Sequence, residues 1–248
     1  MRYGPQPAAR VIEILAQACH SLAEAHEHGL FHRDIKPPNL MLCRAADEVD
    51  IVKLLDFGIV ETAHERTMKP VAMPAPQPTD EPRLTQFGTM LGTPGFMAPE
   101  QILGLALDAR ADLYSLGCVA WWLLAGSEVF SRNVPEAQLL KRHLDDVPPH
   151  LHEIVNGWLP PELDRIVAMM LAKEPEHRPA SAREIAARLR AIEIPPEHAW
   201  TQVRATAWWR SYTPPAPVTV LPSQEMKILV AGQPLADTVA GPTAQFRR

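Results

Sequence analysis

Apolar residues recur at three- and four-residue spacing near the start of the chain: Val11, Ile14, Leu15, Ala18, Leu22 and Ala25. This spacing predicts an amphipathic helix over 8–28, with Gly29 as its stop. Two short apolar runs, 40–43 and 49–55, flank a polar turn at 45–47 and predict a small hairpin. From 61 to 90 no periodicity holds. Residues 68–82 carry five prolines, so a long mobile loop is expected there. The stretch 112–125 is almost wholly apolar and predicts a buried helix. Shorter amphipathic helices follow at 136–144 and at 161–173, the latter with Leu163, Ile166, Val167 and Met170 on one face. Ser181 and Glu184 stand at capping-box spacing and open another helix, striped by Ile185, Leu189 and Ile192. The pattern as a whole predicts a mainly α fold with one small β-hairpin.

Composition narrows the classes of function. A net charge of −5 over 248 residues argues against sequence-independent nucleic-acid binding, which needs a basic face. Three cysteines, Cys19, Cys43 and Cys118, are scattered and lack metal-ligand spacing, so free thiols in a reducing compartment are expected. The most apolar run, 116–125, is half the roughly 20 residues that a spanning helix requires. The first ten residues lack the apolar core of a signal peptide. These features lead to the expectation of a cytoplasmic protein with no membrane segment.

Three motifs carry the chemistry. The first is His32-Arg33-Asp34-Ile35-Lys36-Pro37-Pro38-Asn39. The second, after the predicted hairpin, is Asp56-Phe57-Gly58. The third is Gly92-Thr93-Pro94-Gly95-Phe96-Met97-Ala98-Pro99-Glu100. Each is weak alone; their order and the hairpin between the first two make the signal specific. From about residue 8 to about residue 192 the chain resembles the C-terminal lobe of the protein kinase superfamily, in wording most like the bacterial eukaryotic-type Ser/Thr kinases.

The resemblance implies an ATP- and Mg²⁺-dependent Ser/Thr protein kinase acting on a protein hydroxyl. Asp34 would accept or orient the hydroxyl proton, and Lys36 would stabilise the γ-phosphate. Asn39 and Asp56 would supply hard oxygen ligands to Mg²⁺. Met41 and Leu55 would form the lower wall of the adenine site, and Gly58 would let the backbone turn behind Asp56. His32 and Phe57 would pack internally, and Thr93 would contact Asp34 and Lys36. Glu100 and Arg178 would form a buried ion pair. Asp112 reads either as the acceptor of catalytic-loop amides or as a plain helix-terminal acid. Arg33 suggests regulation by a phosphorylated threonine, for which Thr85 and Thr89 are candidates; both equally read as ordinary loop residues.

Before His32 there is no Gly-x-Gly-x-x-Gly and no room for a strand lysine with its helix glutamate. The expectation is an N-terminally incomplete kinase domain with little activity alone, served by a missing or separate N-lobe. The alternative is a non-catalytic interaction module built on the same lobe. Residues 1–192 would form the lobe and 193–248 a Trp- and Pro-rich tail. Trp200, Trp208 and Trp209 in that tail suggest either a short docked helix or a partner-binding strip, and disorder is expected from Pro214 onward.

Overall fold

The structure is a computed structural model that describes residues 4–45, 48–57 and 92–212. Gly58, Thr85, Thr89, the proline-rich loop expected at 68–82 and the tail expected beyond Pro214 lie outside the described residues. The fold is mainly helical, with one two-stranded antiparallel sheet among the described residues.

Helix α1 (Ala8–Glu27) buries nearly its whole apolar stripe, including Val11, Leu15, Ala18 and Leu22. Gly29 follows at φ +70°, a conformation that costs glycine nothing and ends the helix where the pattern predicts. The hairpin comes next: β1 (Leu40–Ala45) and β2 (Glu48–Leu54) pair from Leu40 opposite Leu54 to Ala45 opposite Glu48. The register shifts near the turn, where Val49 and Asp50 together oppose Arg44, and Asp50 adopts φ +58°. This is a β-bulge, which re-aims one side chain off the strand. Gln17 of α1 serves the free edge of β2: its amide donates to Asp50 O at 3.0 Å, and Val52 N–H donates to its Oε1 at 3.0 Å.

After the short α2 (Pro99–Ile102), helix α3 (Ala109–Ala125) runs through the core with almost every side chain buried. It starts three residues before the expected position, because Asp108 caps it by accepting from Arg110 N–H at 2.8 Å. Gly117 allows α3 to lie against α5 (Pro161–Met170): a Cβ there would stand 2.9 Å from Cβ of Met170. Between them in sequence lies α4 (Glu136–Asp145). Helix α5 stops at Met170 rather than 173. The carbonyls of Ala172 and Lys173 instead accept from the Arg178 guanidinium, each at 2.8 Å, which draws the chain out of the helix. Helix α6 (Ala182–Arg190) begins at Ser181, whose Oγ accepts from Glu184 N–H at 3.2 Å. The reciprocal bond reaches one residue further back than a capping box has it, from Ala180 N–H to Glu184 Oε2 at 2.9 Å.

A last helix, α7 (Gln202–Ser211), docks on β2. Both Trp200 and Trp209 donate their indole N–H to Asp50, each at 2.7 Å. Arg10 of α1 binds the same carboxylate through two nitrogens, at 2.7 and 3.0 Å. Its guanidinium also lies 3.7 Å from the centre of the Trp208 ring. The bulge at Asp50 thus gathers four donors from both ends of the described chain. Among the described residues, no helix is long and apolar enough to cross a membrane.

Candidate active site

The loop between α1 and β1 is held from below by one carboxylate. Asp112, in the first turn of α3, is buried and accepts three hydrogen bonds. His32 N–H donates to it at 2.8 Å, Arg33 N–H at 2.7 Å and His26 Nε2 at 2.8 Å. The positive end of the helix dipole adds to this stabilisation. Of the two readings open from sequence, this geometry is that of an acceptor for loop amides.

One of the two residues whose amides Asp112 binds is strained. Arg33 has φ +64°, a conformation uncommon outside glycine, and the paired bonds to Asp112 hold it there. Gln101 of α2 secures the same residue from another side, donating to Arg33 O at 2.8 Å. Beyond Arg33, Ile35 is buried and pins the loop, and the 3₁₀ turn Pro37–Asn39 carries it into β1.

The polar side chains of this loop converge. Lys36 Nζ lies 2.6 Å from Asp34 Oδ2 and donates to Thr93 Oγ1 at 3.1 Å. The Thr93 hydroxyl donates to Asp34 Oδ1 at 3.3 Å. Asn39 Nδ2 donates to Asp34 O at 2.8 Å and lies 3.3 Å from Asp34 Oδ2. Both oxygens of the Asp34 carboxylate are therefore engaged, although the side chain remains 29% exposed and open to a reactant. The bond to a carbonyl also fixes the Asn39 amide, since only its NH₂ can donate there. Its oxygen is directed elsewhere.

The second motif reaches the loop through β2. Leu55 N–H donates to Asn39 O at 2.9 Å, and His32 Nε2 donates to Leu55 O at 2.8 Å. The Phe57 ring tilts against the His32 ring, centroids 4.8 Å apart. Between them Asp56 is exposed at φ +54°, the second strained non-glycine residue of the site. Met41 is 47% exposed, and Leu55 is half-buried beside the open groove that Leu30, Leu54 and Phe57 also line.

Glu100 and Arg178 form a bidentate pair at 2.6 and 2.8 Å, both side chains buried. Arg178 further donates to Arg110 O at 2.9 Å and stacks 4.9 Å above the Tyr114 ring. This pair anchors the segment after Thr93 to the helical core. Sequence reasoning missed His26 and Gln101. His26 falls in the last turn of α1, four residues after the buried Leu22, and Gln101 directly follows Glu100 at the end of the third motif.

Comparison with known proteins agrees with this architecture. The family profile described as "Protein kinase domain" matches residues 3–189. The Ser/Thr-protein kinase Pkn1 of Myxococcus xanthus is 38% identical over 203 residues, covering 82% of this chain and 26% of that protein. The Ser/Thr-protein kinase pkn3 of the same organism is 34% identical over 192 residues, covering 77% and 33%. PknB of Mycobacterium leprae is 35% identical over 199 residues, covering 78% and 28%. The chain thus spans between a quarter and a third of the length of these relatives. A crystal structure of the Mycobacterium tuberculosis PknI kinase domain aligns with a TM-score of 0.49 at 26% identity, over 75% of this chain and 55% of that one.

Proposed function

The chain belongs to the protein kinase family, and on that premise we propose that the loop around Asp34 transfers the γ-phosphate of ATP to serine or threonine hydroxyls of a protein. The observation that carries this reading is the convergence of Lys36, Asn39 and Thr93 on Asp34, each within hydrogen-bonding distance of its carboxylate.

Phosphoryl transfer asks for alignment and charge stabilisation more than for covalent chemistry. Asp34 orients the substrate hydroxyl and accepts its proton as the oxygen bonds to the γ-phosphorus and the bond to ADP breaks. Thr93 and Lys36 hold the Asp34 carboxylate in one orientation for that task. Lys36 also lies beside the transferring group and stabilises its charge. The donor set fits Mg²⁺: the Asn39 amide oxygen and the Asp56 carboxylate are hard oxygen ligands. When bound, the ion neutralises phosphate charge. Met41 and Leu55 offer adenine an apolar surface on one side.

That surface, with the exposed Leu30, supports a cover contributed by a second lobe. An open site neither excludes water nor fixes all the phosphates, so these 248 residues alone transfer phosphate slowly. The test is incubation with Mg²⁺–ATP and a basic Ser/Thr-containing protein. Expected is turnover far below the ~1–100 s⁻¹ of kinases, lost in Asp34→Asn and Lys36→Ala. Transfer undiminished in Asp34→Asn overturns the assignment, and turnover of the isolated chain in the usual range overturns the need for a cover. The same samples test Thr85 and Thr89 as phosphoacceptors paired with Arg33: mass spectrometry finding no phosphate in 61–91 removes that role.

A further inference from the structure

Two histidines and an aspartate meet at a place the candidate active site does not use. Asp164 lies in the first turn of α5 and is buried. Its Oδ1 accepts from Leu151 N–H at 2.9 Å, where Leu151 is a fully buried anchor of the 3₁₀ turn Leu151–Glu153. The residues on either side of Leu151 turn back onto the other oxygen. His152 Nδ1 stands 2.7 Å and His150 Nδ1 3.4 Å from Asp164 Oδ2. The two imidazoles stack with centroids 5.2 Å apart. All three ligand atoms lie within 4.8 Å of one another.

We propose that His150, His152 and Asp164 form a binding site for a divalent transition-metal ion, with Zn²⁺ the best fit. Two imidazole nitrogens and one carboxylate oxygen are a borderline-soft set, which suits Zn²⁺ over Mg²⁺ or Ca²⁺. Bonds of about 2.0–2.1 Å in a tetrahedron place neighbouring ligand atoms about 3.3 Å apart. The His150–Asp164 distance of 3.4 Å already meets that spacing. The His152–Asp164 contact is a hydrogen bond and opens by about 0.6 Å as the ion replaces the shared proton. His152 is 63% exposed, which leaves its ring room to shift, and its Nδ1 proton passes to Nε2 or to water.

The division of labour also favours an ion. Asp164 is buried and oriented by the Leu151 amide, as a ligating carboxylate is by its outer partners. Both histidines are exposed, so the fourth position faces solvent and takes water or a ligand from outside the chain. An ion there ties the Pro148-Pro149 loop to α5.

The test is Zn²⁺ titration of the full chain against a chromophoric chelator, alongside His150→Asn, His152→Asn and Cys43→Ser. Expected is one equivalent bound by wild type and by Cys43→Ser. Each histidine variant should lose at least the ~10–100-fold that loss of an outer-shell partner costs. Zn²⁺ should also raise the melting temperature of wild type and not that of the double histidine variant. Both histidines are on the surface, so these variants fold, which far-UV circular dichroism verifies. Zn²⁺ affinity unchanged in the double variant, or no binding by wild type at micromolar Zn²⁺, overturns the proposal.

Discussion

Replacing Arg178 with alanine removes the centre of a buried, densely connected polar cluster. Arg178 holds Glu100 by two bonds and supplies the carbonyls of Arg110, Ala172 and Lys173. Glu100 is 6% exposed, so the variant leaves a buried carboxylate without its cation. Breaking a buried pair from one side costs about 3–5 kcal/mol. Each carbonyl left unpaired adds up to about 1–3 kcal/mol, although relaxation and water keep these terms from summing fully. A total near 5 kcal/mol is a large share of the roughly 5–15 kcal/mol by which domains are stable. Urea unfolding followed by tryptophan fluorescence reads the effect. With a slope of about 2 kcal/mol per molar, the midpoint falls by about 2.5 M or the variant is unfolded in water. Glu100→Leu combined with Arg178→Met should recover part of the loss, because the apolar pair leaves no unpaired charge. A midpoint for Arg178→Ala equal to that of wild type refutes the reasoning.

Three further outcomes are expected. Asp50→Asn keeps a residue type that tolerates positive φ but strips the charge facing buried Arg10; a loss of about 3 kcal/mol should lower the melting temperature by roughly 10 °C, and an unchanged melt would show that α7 is not fastened there. Burial, with a smaller contribution from Lys173, lowers the pKa of His143 from 6.5 to about 4. The unfolded chain therefore binds the extra proton between these values, and stability falls as pH drops through that window; urea titrations at pH 7 and 4.5 should show wild type losing about 2–3 kcal/mol more than His143→Asn, and parallel losses would contradict it. Burial pushes the Cys19 thiol up to about 12 and raises that of Cys118 further, while Cys43 is half-buried; a thiol reagent at neutral pH should label Cys43 alone in the native chain and all three in denaturant.

Much of the helical frame was legible because its apolar periodicity is strong. The stripe of α1 and the near-continuous apolar run of α3 allow little else. The contacts around Asp34 were legible for a different reason: motif spacing brings Asp34, Lys36 and Asn39 within one short loop. Helix ends were less so. Asp108 moves the start of α3, and Arg178 pulls the last carbonyls from α5, and both depend on side chains that periodicity does not weigh. The Asp50 cluster was least legible. Its donors stand 40, 150 and 159 residues away, and no local pattern connects a bulge to two tryptophans and an arginine. His26 and Gln101 lay hidden in the same way, each acting through one long-range hydrogen bond.

The most direct measurement is Mg²⁺-dependent nucleotide binding by wild type and by Asp56→Asn. Phosphorus NMR of ATP, titrated with the chain at fixed Mg²⁺, reports contact at the phosphates whether or not transfer follows. The assignment predicts that the γ-phosphate resonance responds to wild type only when Mg²⁺ is present, and that Asp56→Asn and Asn39→Ala weaken the response severely. An Asp56→Asn chain that binds Mg²⁺–ATP as wild type does would contradict a phosphoryl-transfer site built on Asp34, Lys36, Asn39 and Asp56.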